Sequence, residues 1–129
     1  MEKEAIWPGP EGLIPALLKV ASNASWRSVC GKGVLSTRDA AICEESGADA
    51  IVVSHHHGRL PFAVPPAMIL PDIRKVSGKM KVFADCSVDD GRDAYKLMAL
   101  GADAVSTGRA ILPGLLKEGH LLSEKKYGR

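Results

Sequence analysis

From residue 31 onward, hydrophobic positions fall into two alternating patterns. Short apolar runs at 31–35 ("GKGVL"), 48–54 ("ADAIVVS"), 79–87 ("KMKVFADCS") and 102–108 ("ADAVSTG") predict strands. Between them, stretches with helical spacing at 37–47, 65–78 and 90–101 predict helices. Their ends carry matching signals. Ser36 or Thr37 can cap the first, with Asp39 in its first turn and Gly47 after its last. Prolines start the second, while Asp89 and Asp90 read as cap and first-turn acids of the third. Beyond Gly108 the pattern predicts one or two short helices and a frayed, charged tail. The first 30 residues are less regular: a breaker cluster, "WPGPEG", then a short helix at 13–21, then the loop "SNASW".

Strand alternating with helix implies parallel pairing through helical crossovers, an α/β fold. The nearly continuous apolar runs "AIVVS" and "KVFAD" predict strands covered on both faces. An internal echo sharpens this. "RDA" occurs at 38 and 92 and "GADA" at 47 and 101, both 54 residues apart, the length of two βα units. Such a repeat points to a (β/α)8 barrel, which normally needs about 250 residues. With four strand candidates in 129 residues, the chain matches the C-terminal half of one. The expected divisions are 1–31 as an N-terminal helix and loop, 32–116 as the half-barrel, and 117–129 as the tail. A lone half-barrel leaves sheet edges and an apolar face uncovered, so a homo-oligomer or a complementary barrel half is the expected partner.

Composition adds exclusions. A net charge of +2 is spread along the chain, so nucleic acid is not the expected partner. No apolar run approaches the roughly 20 residues of a membrane span, and "MEKEAIWPGPEG" lacks the hydrophobic block of a secretory signal, which places the protein in the cytoplasm. Cys30, Cys43 and Cys86 show no CxxC spacing and read as reduced, buried or idle thiols.

In parallel α/β folds the chemistry sits at the carboxyl ends of the strands. Lys32, "SHHHGR" (54–59), "DCSVDDG" (85–91) and "TGR" (107–109) all fall there and should converge. The triple histidine admits three readings: a base at His56, a polar loop, or part of a metal site. In extended geometry His55 and His57 face one side and His56 the other, so a metal would need a third ligand such as Asp85 or Cys86. Nothing in the spacing demands one, and no metal is expected. Arg59 and Arg109 read equally as surface guanidinium groups, and Asp85 as a buried structural acceptor.

Taken in order, "KGVLSTRDA", "GADAIVVSHHHGR", "KVFADCSVDDGRDAYKLMALGADAV" and "TGRAIL" resemble the FMN-dependent 2-hydroxy acid oxidases and dehydrogenases, the group that includes glycolate oxidase, lactate oxidase and flavin-dependent lactate dehydrogenase. The resemblance runs from about Lys32 to Leu116. It implies FMN as cofactor and a small 2-hydroxy acid as substrate. Lys32 then matches the lysine at the N1/O2 edge of the flavin, and Ser54 a flavin-contacting serine. His56 matches the catalytic base and Arg59 the clamp on the substrate carboxylate, a task suited to its planar fork. Asp85 and Ser87 fall in the loop around the ribityl phosphate, and Gly108 with Arg109 in the terminal phosphate clamp.

The chain departs from the family pattern in two loops. The family's "SNHGGR" becomes "SHHHGR", placing His55 and His57 beside the base. "DGGVRRG" becomes "DCSVDDG", putting Cys86 and Ser87 in place of two glycines and Asp89 and Asp90 in place of two arginines. Acids near a phosphate dianion repel it, and lost glycines restrict close backbone approach. The aspartate that follows the histidine loop in many members, and the N-terminal barrel half, have no counterpart. Three functions stay open: FMN-dependent oxidation of a 2-hydroxy acid, incomplete or impaired in this chain alone; a non-catalytic half-barrel binding a phosphorylated ligand or partner chain; and a flavin-dependent isomerase on the same barrel.

Overall fold

The computed structural model describes residues 28–118. The helix expected at 13–21, both tryptophans and most of the charged tail lie outside them. Four strands alternate with helices: β1 (Cys30–Val34), α1 (Thr37–Glu45), β2 (Ala50–Val53), α2 (Pro66–Val76), β3 (Lys81–Ala84), α3 (Gly91–Ala99) and β4 (Ala104–Val105). A 3₁₀ turn at Arg109–Ile111 then leads into α4 (Leu112–Glu118). Each element lies within a few residues of its predicted place. Among the described residues no helix is long and apolar enough to cross a membrane.

Local chemistry explains the boundaries. The Ser36 hydroxyl accepts from the Asp39 N–H at 3.0 Å and starts α1. The Asp90 carboxylate accepts from the N–H groups of Arg92 (2.8 Å) and Asp93 (3.2 Å) and starts α3. Asp90 is therefore the cap. The echo has a structural meaning at the far ends of these helices. Gly47 (φ +81°) and Gly101 (φ +114°) adopt the left-handed conformation that stops a helix. Two residues on, the Asp49 carboxylate accepts from the Val29 N–H at 2.7 Å, and the Asp103 carboxylate accepts from the Val82 N–H at 2.9 Å. Each repeat thus ties the start of one strand to the loop before the next.

The sheet is parallel, in the order β1-β2-β3-β4. Because neighbours in sequence are neighbours in space, and such crossovers share one hand, the crossover helices α1, α2 and α3 fall on the same side. The core lies between: Ile51 and Val53 of β2 and Val82 and Ala84 of β3 pack with Leu70 and Ile73 of α2, all at 0% exposure. Burying a side chain of the size of Leu70 or Ile73 contributes about 1.5–3 kcal/mol. Among the described residues nothing covers the other face. Lys32, Val52, Phe83 and Ala104 are aligned partners across the four strands and remain partly or fully exposed. Within the described residues helices protect one face, because winding in one direction puts none on the other, and the second is the apolar face that half a barrel was expected to leave uncovered. The apolar residues of the bare face suit a barrel interior.

Candidate active site at the carboxyl ends of the strands

A bulge in β1 aims the key cation. Lys32 pairs with Val52 and Val34 with Val53, leaving Gly33 as the extra residue, with φ +97°. The bulge breaks the side-chain alternation, so Val34 turns into the core while Lys32 stands on the open face. Lys32 Nζ forms an ion pair with Asp85 at the end of β3 and donates to Ser54 Oγ, at the end of β2, at 3.3 Å. Gly33 also makes room for the base candidate: a Cβ there would lie 3.0 Å from His56 Nε2. The His56 N–H donates to Ser54 Oγ at 3.2 Å.

Asp85 is 7% exposed. Burial pushes its carboxyl up. Hydrogen bonds from Cys86, Lys32 and Ser54, with the Lys32 charge, act in the other direction and together hold it below the ordinary carboxylate range. The Cys86 thiol, idle by composition, joins the three loops. It donates to Asp85 Oδ1 at 2.8 Å, lies 3.5 Å from Ser54 Oγ, and accepts from the His57 N–H at 3.4 Å. From the loop after β4, Arg109 Nη2 donates to the His57 carbonyl at 3.5 Å. Lys32, Ser54, His56, Asp85 and Arg109 thus converge as the strand-end argument requires, and Cys86 joins them. Its signal was available: it follows an apolar strand that ends in a carboxylate, the position of a site residue.

The histidine loop is not extended. His56 (φ +53°) and His57 (φ +57°) both turn left-handed, and the Gly58 N–H donates to His55 Nδ1 at 2.9 Å. The expected alternation of the three rings is corrected, because it presumed a strand where the chain turns. Among the described residues no group of three or more His, Cys, Asp or Glu side chains is placed to hold a metal. Arg59 is exposed on the same loop.

Two hollows adjoin the cluster. One, of about 420 Å³, lies on the open sheet face against Lys32, Val52, Phe83, Asp85 and Val105. The other, of about 210 Å³, lies between the loops after β3 and β4 against His57, Ser87, Asp89, Gly108 and Arg109. In (β/α)8 enzymes the loops after the last two strands frequently hold phosphate.

A family model described as FMN-dependent dehydrogenase matches residues 17–121. The chain belongs to the FMN-dependent dehydrogenase family. It is 43% identical over 90 residues to an L-lactate dehydrogenase of Xanthomonas oryzae pv. oryzae, covering 68% of this chain and 23% of that protein. An L-lactate dehydrogenase of Xanthomonas campestris pv. campestris matches to the same extent. Among solved structures, mandelate oxidase with benzoyl-formic acid superposes with a TM-score of 0.77 at 36% identity, over 81% of this chain and 32% of that one. A mandelate oxidase variant with a monooxide FMN adduct gives 0.75 at 37% identity, over 82% of this chain and 34% of that one. The chain therefore spans about a quarter to a third of the length of these relatives. The fold is four βα units of a (β/α)8 barrel, and the cofactor of this family is FMN.

The donor set fits that cofactor at both ends. Lys32 supplies a positive charge beside the larger, mostly apolar hollow, which suits a flat ring system. Arg109 and the start of the 3₁₀ turn supply donors beside the smaller one, and Asp89 at its wall is the single component with the wrong charge for a phosphate.

Proposed function

We propose that this chain carries the C-terminal half of an FMN-dependent site for oxidising a small 2-hydroxy acid. The observation that carries this is the Lys32–Ser54–Asp85 cluster with His56 packed on Gly33, at the strand ends and beside the larger hollow. Lys32 would face the N1/O2 edge of the flavin, with Ser54 and Asp85 fixing its position. Ser87, Gly108 and Arg109 would hold the phosphate. Bound FMN supplies an acceptor for the two electrons lost as the hydroxy acid becomes a 2-oxo acid. His56 would take the proton released by the substrate, its imidazole nitrogen serving as the acceptor. Arg59 would swing in from its exposed position to pair with the substrate carboxylate. We place the protein in the cytoplasm, with its barrel completed by a second copy or a complementary half.

A second reading, a half-barrel without turnover that binds a partner chain or a phosphorylated ligand, is favoured by the Cys86 bonds that link the loops, while Asp89 in the smaller hollow counts against a phosphate in either reading. Titration with FMN separates the two. The first reading expects a yellow complex that bleaches when L-lactate or (S)-mandelate is added without oxygen, and that His56→Ala binds flavin but does not bleach. A colourless protein in excess FMN removes the first reading.

A further inference from the structure

We propose that Cys86 is a positioning residue: its thiol occupies one oxygen of the Asp85 carboxylate, so that the other oxygen holds Lys32 with its ammonium open to the larger hollow. The consequence for a flavin rests on the reading of that hollow as the place of the ring. The hold on Asp85 does not.

The two oxygens of Asp85 are divided between two donors. Cys86 Sγ donates to Oδ1 at 2.8 Å, and Lys32 Nζ bonds to Oδ2. A thiol has a single proton. With that proton on Asp85 the sulfur is left to accept, as it does from the His57 N–H at 3.4 Å. A hydrogen bond to a carboxylate is charge-assisted, and at 5% exposure of Cys86 little water competes for it. Burial pushes the Asp85 carboxyl up, and the Cys86 hydrogen bond leads the groups that bring it below the ordinary range, ahead of Lys32 and Ser54.

The ion pair that results is unequal. The Asp85 side chain is 10% exposed and that of Lys32 47%, so the anion is enclosed while the cation faces the hollow that both residues line. A carboxylate with both oxygens free would take the ammonium across the two, draw it inward and cancel more of its charge. The backbone supports the same role. Cys86 has φ +72°, a conformation that glycine adopts freely and a residue with a Cβ does not. A cysteine here works against its own backbone preference, and the bonds to Asp85 and His57 are what the turn gains in return.

The first measurement needs no flavin. The Asp85 carboxyl is titrated by carbon NMR in the unaltered chain, Cys86→Ala and Cys86→Ser. Loss of the thiol proton should raise the Asp85 titration, and Cys86→Ser, which keeps a donor on the same Cβ, should bring it back down. If Cys86→Ala does not fold, Cys86→Gly removes the thiol and suits φ +72°, so it carries the same readout. An Asp85 titration unmoved in every variant overturns the proposal, as does one that rises equally with alanine and serine.

The second measurement uses the protein with FMN bound. Reduction gathers negative charge at the N1/O2 edge of the ring. The affinity for reduced relative to oxidised FMN, read from the potential of the bound flavin, should fall about tenfold in Cys86→Ala and recover in Cys86→Ser, as for one hydrogen bond to a charged group. An unchanged ratio in a folded Cys86→Ala also overturns the proposal and makes Cys86 a clamp between loops. An unaltered chain that stays colourless in excess FMN removes the flavin reading alone, because the titration still decides the hold on Asp85.

Discussion

Lys32 and Asp85 sit on strands that do not touch, yet their side chains form an ion pair across the end of β2. Their strands are separated by β2, whose Ser54 accepts from the same lysine. The pair therefore locks three strand ends together on the face the helices leave bare.

This relationship sets a pH dependence. The folded carboxyl of Asp85 is held below its unfolded value of about 3.9. Its ionised form thus stabilises the fold fully above about pH 4, and that contribution is lost as pH falls through the folded-state value. Asp85→Asn should cost about 1.5–3 kcal/mol in urea unfolding at pH 7, the range for hydrogen bonds to a charged group. The gap between the variant and the unaltered protein should narrow steadily below about pH 4. A gap that does not change with pH would mean the pair contributes nothing to the fold.

Lys32→Met tests the same pair from the other side. It leaves the Asp85 carboxylate buried without its cation, which is worse than having neither charge. The double variant Lys32→Met/Asp85→Asn should therefore unfold at higher urea than Lys32→Met alone. The reverse order would show that solvent reaches the carboxylate.

Gly33→Ala meets two obstacles. The residue sits at φ +97°, and the added methyl would lie 3.0 Å from His56 Nε2. The cost should be about 1–3 kcal/mol, and the imidazole resonances of His56 should shift more than those of His55. Unmoved His56 signals in a folded variant would show that the ring does not rest on β1.

How far the sequence revealed this arrangement depends on what each signal encodes. Strand and helix periods, Ser36 as a cap and the repeated "GADA" are local, and they were readable because neighbouring residues decide them. The convergence of Lys32, Ser54, Asp85 and Arg109 was readable too, because the parallel topology sends every strand end to one side. The bare face followed from reading four strands as half a barrel, not from the apolar runs, which look alike whether helices or the rest of a barrel cover them. The turn at His56 and the bonds of Cys86 were hidden. Left-handed φ at His57, Cys86 and Ser87 contradicts what those residue types prefer, and only tertiary contacts show why it is tolerated.

Ser87 offers a clean measure of that conflict, being exposed with φ +56°. The left-handed conformation costs a residue with a Cβ about 1 kcal/mol or more, and glycine little. Ser87→Gly should therefore exceed Ser87→Ala in stability by about 1 kcal/mol in chemical unfolding. Equal stabilities would mean the loop relaxes to a right-handed form.

The two helix caps should separate by pH. Ser36 and Asp90 do the same work at the starts of α1 and α3, one with a hydroxyl and one with a carboxylate. Ser36→Ala should cost about 1 kcal/mol at every pH, since nothing in that bond titrates. Asp90 differs: the Arg92 guanidinium and the N–H groups of Asp93 and Arg92 hold its carboxyl down to about 2. Its contribution is present above the unfolded value of about 3.9 and fades as pH falls from there through the folded value. Thermal unfolding at pH 6, 4 and 3 should show Asp90→Ala approaching the unaltered protein while Ser36→Ala keeps its distance. Parallel behaviour of the two would mean that Asp90 caps α3 no better protonated than ionised, and that its hydrogen bonds to Arg92 and Asp93 do not depend on its charge.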